Sequence, residues 1–326
     1  MRRIAFDQFG EPSRVLRIEE VADPIPGPGE VVVRMQCRTI NPADLLTVRG
    51  IYGTRPKLPA VPGYEGVGTV EVLGEGVDGI AVGARVVPLG NNGTWQDRCV
   101  ARASSLIPVP KAIDDESAAQ LIINPLTALA MVEDVHRVEP GEWLLQTAAG
   151  STLGRLMLQL ARRTGFRTIN LVRREAQVEE IRALGGDVVA TPDAPDLVAR
   201  IRDATGEKGV VKAIDAVGGD TGAVALSALG PGGSLLVYGM LSGRPIPLDA
   251  SLLVFRGISV RGFWLTQWFR RTPAERRQAL IERLIGLVQD RSLVPPVAAV
   301  FPLADIQAAV AEAERPGRAG KVLLAA

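Results

Sequence analysis

The chain has 326 residues, long enough that two domains are the expectation rather than one core. Hydrophobic residues make up 47%, charged residues 22%, and the formal net charge is +1. That balance excludes disorder and any global field that would draw in nucleic acid or acidic lipid, so an anionic ligand needs a local basic cluster.

Two cysteines, Cys37 and Cys99, are too few for a disulfide scaffold or a cysteine-rich metal site. Both are expected to pack as small apolar side chains in a reducing compartment. Met1-Arg2-Arg3-Ile4 has no apolar run behind its basic pair, which argues against a secretory signal. No stretch approaches the roughly twenty apolar residues of a membrane span. A cytoplasmic protein with no membrane or nucleic-acid partner is expected.

In chain order, the first hundred residues are punctuated by glycine and proline. Val31-Val32-Val33-Arg34-Met35, Gly68-Thr69-Val70-Glu71-Val72 and Arg85-Val86-Val87 predict strands of a small, irregular β-barrel-like domain. The Pro/Gly alternation from Asp23 to Gly29 suits a surface turn. His136, the only histidine, lies among charged residues and is expected on the surface.

From about residue 118 a strand–helix rhythm sets in. Trp143 to Thr147 predicts a buried strand, and Leu153, Leu156, Met157, Leu160 and Ala161 recur at helical spacing after it. Arg167 to Val172 predicts the next strand. A helix marked by Val178, Ile181, Ala183 and Leu184 follows, stopped by Gly185-Gly186. Further strands are expected at Val188-Val189, Val211 to Ile214 and Ser234 to Tyr238. Such alternation implies an α/β fold with a doubly wound parallel sheet covered on both faces. The last sixty residues hold a helix through Ala279, Leu280, Leu284, Leu287 and Val288, another from Leu303 to Ala313, and a final strand Lys321-Val322-Leu323-Leu324. These pieces are expected to return to the first domain.

The turn after the first α/β strand reads Ala148-Ala149-Gly150-Ser151-Thr152-Leu153-Gly154. A glycine-rich turn opening a helix presents backbone N–H groups and the helix dipole to a pyrophosphate. Gly150 is expected to permit the tight turn, and Gly154 to let the helix pack close to the sheet. The middle glycine of the usual dinucleotide fingerprint is replaced by Ser151-Thr152. At the end of the next strand an acidic residue would hold a ribose 2′-hydroxyl, whereas arginine accommodates a 2′-phosphate. Here Arg173-Arg174 stand there, pointing to NADPH rather than NADH, with Glu175 beside them.

This barrel-plus-Rossmann order resembles the medium-chain dehydrogenase/reductase superfamily over essentially the whole chain. The resemblance implies a GroES-like catalytic domain at 1–117, a Rossmann domain at 118–263 and a return to the catalytic domain at 264–326. Zinc-dependent members carry a Cys-His pair in the early barrel and a Gly-His-Glu further on. The matching stretches here read Ile40-Asn41-Pro42-Ala43-Asp44 and Pro62-Gly63-Tyr64-Glu65-Gly66, without thiolate or imidazole. The structural zinc lobe is missing as well. No metal is expected, and ordinary alcohol dehydrogenation is disfavoured.

Several segments are similar to the mitochondrial-type trans-2-enoyl thioester reductases. They are Val48-Arg49-Gly50-Ile51-Tyr52-Gly53, Leu58-Pro59-Ala60-Val61-Pro62-Gly63, Gly93-Thr94-Trp95, Asn124-Pro125-Leu126-Thr127-Ala128, Thr168-Ile169-Asn170-Leu171-Val172-Arg173 and Arg261-Gly262-Phe263-Trp264-Leu265-Thr266-Gln267-Trp268. The last also reads as an edge strand with aromatic packing. The resemblance implies that Tyr52 is the proton donor. It places Asn124, Gly150, Ser151, Thr152, Leu153, Tyr238, Gly239 and Met240 on the cofactor, with Arg173 and Arg174 on its 2′-phosphate. Phe263, Trp264 and Leu265 would edge the nicotinamide pocket, and Lys321 would reach the cofactor from the last strand. The implied reaction is NADPH-dependent reduction of the C2=C3 bond of an enoyl thioester of coenzyme A or a carrier protein. A tyrosine hydroxyl, protonated at neutral pH with a pKa of about 10, would stabilise the enolate and deliver the proton.

Two other readings stand beside this one. A zinc-free NADPH:quinone oxidoreductase shares the cofactor and often a tyrosine at the matching loop. A non-catalytic NADPH-binding redox sensor would bind without turnover. By analogy with the superfamily, a homodimer joined along the strand Ile258 to Phe263 is expected.

Overall fold

The change of texture near residue 118 marks a division of the chain. The computed structural model describes residues 1–90, 93–206 and 209–326. One unit comprises Met1–Ile123 with Ile285–Ala326, the other Asn124–Leu284. The boundaries therefore differ from those expected at 117/118 and 263/264. The helices Leu265–Arg271 and Ala274–Gln289 account for the second difference. Trp268 Nε1 donates to Asp134 at 3.1 Å, Arg276 Nε to Asp134 at 2.8 Å, and Arg283 Nε pairs with Glu133 at 2.7 Å. These bonds hold the segment up to Leu284 to the second unit, so only the chain beyond it returns to the first.

In the first unit the long strand Glu30–Ile40 lies inside a seven-stranded sheet, antiparallel to Gly66–Leu73, to Arg98–Arg102 and to Lys321–Ala325. The C-terminal strand enters in the register Val322↔Ile40 and Leu324↔Arg38. Its apolar residues complete a core of Ile4, Phe6, Ile40, Leu45, Val48 and Trp95, together with Leu303, Ile306 and Val310. Burying a large aliphatic or aromatic side chain contributes about 1.5–3 kcal/mol, which is why the last strand returns here. Cys37 and Cys99 are buried, and burial pushes both thiols up to about 12, consistent with packed apolar cysteines.

The second unit is built on six parallel strands. Numbered along the chain, they are Trp143–Gln146, Arg167–Leu171, Val188–Ala190, Val210–Asp215, Leu229–Val237 and Ser259–Gly262, in the spatial order 3-2-1-4-5-6. Helix Thr152–Thr164 covers the sheet because Leu153, Leu156, Met157, Leu160 and Ala161 form one buried face. Ser151 caps its start, and Gly165, with φ 86°, ends it.

Two local expectations are corrected. The aromatic segment after Gly262 is not a strand throughout, since Leu265–Arg271 is helical. His136 is not a surface residue but 6% exposed. It ends a π-helical turn, Met131–His136, and its Nε2 lies 3.0 Å from Ala213 O. The charged neighbours that suggested exposure point elsewhere: Glu133 and Asp134 bind the arginines of helix Ala274–Gln289.

Candidate active site

In a parallel sheet the carboxyl ends of all strands share one edge, and the order reverses here between strands one and four. The turn after strand one and the end of strand four are latched together. Thr147 Oγ1 donates to Asp215 Oδ1 at 2.6 Å, and the amides of Val217 and Gly218 donate to the same carboxylate at 3.0 and 2.9 Å. Asp215 is fully buried and has these donors to satisfy it.

The left-handed residue of the turn is Ala148, with φ 50°. Gly150 instead leaves room beside Gln177, whose Nε2 would lie 2.5 Å from a Cβ there. Gly154 acts as expected. A Cβ on it would meet Ala149 O at 2.5 Å and the Ala149 C and Cα at 2.7 Å, so helix and turn approach this closely only through glycine. Ser151 Oγ accepts from Gly154 N at 3.1 Å. The amides of Thr152 and Leu153 precede the first intrahelical bond and have no acceptor among the described residues. Two open amides at a helix start suit a diphosphate.

Arg173 and Arg174 follow strand two, both exposed and with no carboxylate partner among the described residues. Tyr238, Gly239 and Met240 follow strand five. Tyr238 N donates to Asp215 O at 2.8 Å and Met240 is 61% exposed, but the Tyr238 hydroxyl is buried without a partner among the described residues. Burial pushes that phenol well above its ordinary pKa, and Asp215 adds to the shift. After strand six, Phe263 is buried, while Trp264 and Leu265 are half-buried. The fold thus brings the predicted glycine turn, both arginines, Tyr238–Met240 and Phe263–Leu265 to one sheet edge. Asn124 is half-buried near the start of helix Ile123–Ala130.

Tyr52 and Lys321 belong to the first unit. Tyr52 sits on a loop that leaves helix Pro42–Val48 through Gly50, whose φ is 72° and whose Cβ would strike the Phe9 ring at 2.7 Å. Arg55 laces the loop back, donating from Nε to Gly50 O at 2.6 Å while its guanidinium covers Phe9. The Tyr52 ring lies against Tyr64, with centroids 5.6 Å apart and planes tilted by 50°.

The two positions that match zinc ligands in the zinc-dependent members are bound into a hydrogen-bond network. Asn41 Nδ2 donates to Thr39 Oγ1 at 2.7 Å and to Glu65 Oε1 at 2.9 Å. Glu65 Oε2 accepts the amides of Ile122 and Ile123 at 3.2 and 2.7 Å. Asp44 closes a capping box with Asn41 and accepts Tyr64 N at 3.0 Å. Tyr64 Oη lies 2.7 Å from Thr47 Oγ1. Among the described residues no group of three His, Cys, Asp or Glu side chains is arranged to hold a metal ion.

Asp44, Glu65 and Lys321 are all buried and share one field. Burial pushes Asp44 up to about 7, with Glu65 adding, against the Asn41 amide and Lys321. Burial raises Glu65 too, opposed by hydrogen bonds from Ile123, Asn41 and Thr39 and by the charge of Lys321. Lys321 is pulled down to about 8 by burial and Arg318, while both carboxylates hold it up. Burial takes the Tyr64 phenol up to about 12.

Residues 27–111 match the family described as alcohol dehydrogenase GroES-like domain, and residues 152–284 the family described as zinc-binding dehydrogenase. The rat mitochondrial enoyl-[acyl-carrier-protein] reductase is 33% identical over 97% of this chain and 86% of that protein. The chain belongs to the medium-chain dehydrogenase/reductase superfamily. Among solved members of the superfamily, a mycobacterial quinone oxidoreductase superposes with a TM-score of 0.87 at 30% identity, covering 100% of both chains. The Escherichia coli quinone oxidoreductase complexed with NADPH superposes with a TM-score of 0.91 at 28% identity, again covering 100% of both. As a medium-chain dehydrogenase/reductase the protein is an oxidoreductase.

The sequence reading did not assign roles to Thr47, Asp44, Glu65, Thr147 or Asp215. The Asn41…Asp44 capping box was a legible signal for Asp44. Thr47, Thr147 and Asp215 carry no local signal, because their partners lie far along the chain.

Proposed function

We propose that this protein uses NADPH to reduce the C2=C3 bond of a trans-2-enoyl thioester. The observation that carries the reading is the phenol pair. Thr47 Oγ1 donates its single proton to Ala43 O at 2.8 Å, so the proton of the Tyr64–Thr47 bond comes from Tyr64 and is engaged. We assign the substrate proton to the other ring of the pair, Tyr52, whose loop is held by Gly50 and by Arg55 Nε donating to Gly50 O at 2.6 Å. The identity to an enoyl-[acyl-carrier-protein] reductase along nearly the whole chain supports the substrate class, and the NADPH complex of the quinone oxidoreductase supports the cofactor.

The residues fit that cofactor. The Thr152 and Leu153 amides and the Gly150–Ser151 turn would hold its diphosphate, and Arg173 with Arg174 its 2′-phosphate. When bound, NADPH would supply a hydride for the β-carbon of the enoyl group. Tyr52 Oη stabilises the enolate oxygen and gives its proton, directly or through water, to the α-carbon. The tyrosine then recovers a proton from solvent.

The test is NADPH oxidation with crotonyl-CoA and, separately, with a quinone. Turnover of crotonyl-CoA that Tyr52→Phe lowers by about a hundredfold is expected. The similarity to quinone oxidoreductases favours the second reading, and rapid turnover with quinone alone would replace the first by it. The partner expected on the second unit is another copy of this chain. The outer strand Ser259–Gly262 is exposed along its length, beside Val254 and Phe255 at 72% and 84% exposure. Light scattering that finds a monomer would remove that part of the reading.

A further inference from the structure

The chemistry above leaves Tyr64 without a task, although it occupies a position where zinc-dependent members place a ligand. It is pinned at both ends. Its amide donates to buried Asp44 at 3.0 Å, and its hydroxyl donates to Thr47 Oγ1 at 2.7 Å, which is anchored in turn on Ala43 O. Thr47 is itself buried on helix Pro42–Val48. The ring fixed in this way meets the ring of Tyr52 at 5.6 Å.

We infer that Tyr64 is a positioning residue, an anchored aromatic wall that sets the orientation of the Tyr52 ring and hence of its hydroxyl. The inference rests on the reading of Tyr52 as proton donor. Tilted aromatic pairs have a preferred geometry, and small misplacements of a reacting group cost up to about a hundredfold in rate. Tyr64 keeps its own proton on Thr47 and does not compete as donor. A neutral ring also adds no charge beside Asp44, Glu65 and Lys321, whose field would otherwise change with every proton it took up.

The experiment is steady-state reduction of crotonyl-CoA by NADPH with four variants of the full chain and one double variant. Tyr64→Leu should lower kcat about tenfold and leave KM for NADPH within about twofold. Tyr64→Phe, which keeps the ring, should stay within about threefold of wild type, as should Thr47→Val, which removes only the anchor. In a Tyr52→Phe background, Tyr64→Leu should cost no more than about twofold, because a residue acting through Tyr52 has nothing left to position.

Wild-type kcat in Tyr64→Leu overturns the inference. So does a Tyr64→Phe loss equal to that of Tyr64→Leu, and so does a full tenfold loss in the Tyr52→Phe background. Should Tyr64→Leu not fold, Tyr64→Met, which also removes the ring, takes its place in both backgrounds, and wild-type kcat in it overturns the inference in the same way. Wild-type turnover in Tyr52→Phe instead overturns the proton-donor reading itself. The two failures are therefore distinct.

Discussion

Replacing Tyr238 by phenylalanine should make this protein more stable. Among the described residues its hydroxyl is buried with no partner, and so is Ser234 Oγ, on the strand Leu229–Val237 just before it. Leaving such a group unsatisfied costs about 1–3 kcal/mol. The swap removes one oxygen and keeps the ring, so lost packing offsets only part of that gain. A net gain of about 1 kcal/mol corresponds to roughly 2–4 °C in Tm for a cooperative unit of this size. Differential scanning calorimetry of both proteins at pH 7.5 reads the shift directly. NADPH affinity, measured by fluorescence titration, should stay within about twofold, because the backbone of Tyr238–Met240 faces the sheet edge while the phenol is buried. A fall in Tm of 2 °C or more would show that the hydroxyl makes a bond absent from this structure, and a tenfold loss of affinity would place it on the cofactor.

Removing both Arg173 and Arg174 side chains should weaken NADPH binding about 10- to 100-fold, an estimate discounted for screening of exposed charges, and leave NADH within about twofold. Equal losses for the two nucleotides, by calorimetric titration, would remove the arginines from the 2′-phosphate. Gly154→Ala forces a Cβ against the Ala149 backbone and should cost about 3 kcal/mol, together with cofactor binding. Urea unfolding with an unchanged midpoint contradicts this. Burial, with Arg261 and Lys212, holds His136 below its ordinary value of 6.5. The unfolded chain therefore binds that proton first, and stability should fall as pH drops below 6.5. His136→Gln should flatten that limb, and urea midpoints at pH 7.5 and 5.5 that fall equally in both proteins would argue against it.

The architecture was largely readable from the chain because its causes are local. Strands buried on both faces read as apolar runs, and Leu153 to Ala161 mark one helical face at the right period. Gly154 follows from the close start of a helix over a sheet. Arg173-Arg174 are legible for the same reason, since the end of strand two faces the nucleotide edge in any fold of this order.

His136 shows where that logic stops. Its neighbours in sequence are charged, but a π-helical turn points them toward the helix Ala274–Gln289 and leaves the imidazole on Ala213 O. Composition near a residue reports who precedes and follows it, not which side of the backbone it occupies. The left-handed position of the turn, at Ala148, has no local signal either; it adjoins Thr147, which bonds Asp215 68 residues away.

By itself, then, the sequence determined two domains, the parallel sheet, the glycine turn with its basic pair, and the replacement of the zinc ligands by Asn41 and Tyr64. Each depends on spacing within one element or on the identity of a single side chain. Only the tertiary structure decided what those replacements do. Thr39 with Asn41, and Ile122 with Ile123, come from separate stretches of chain and share the buried Glu65 carboxylate. Tyr64 reaches Thr47 and Tyr52 only once strand, helix and loop have packed. Buried polar groups must find partners wherever the fold brings them, and those partners are set by three-dimensional packing rather than by position along the chain.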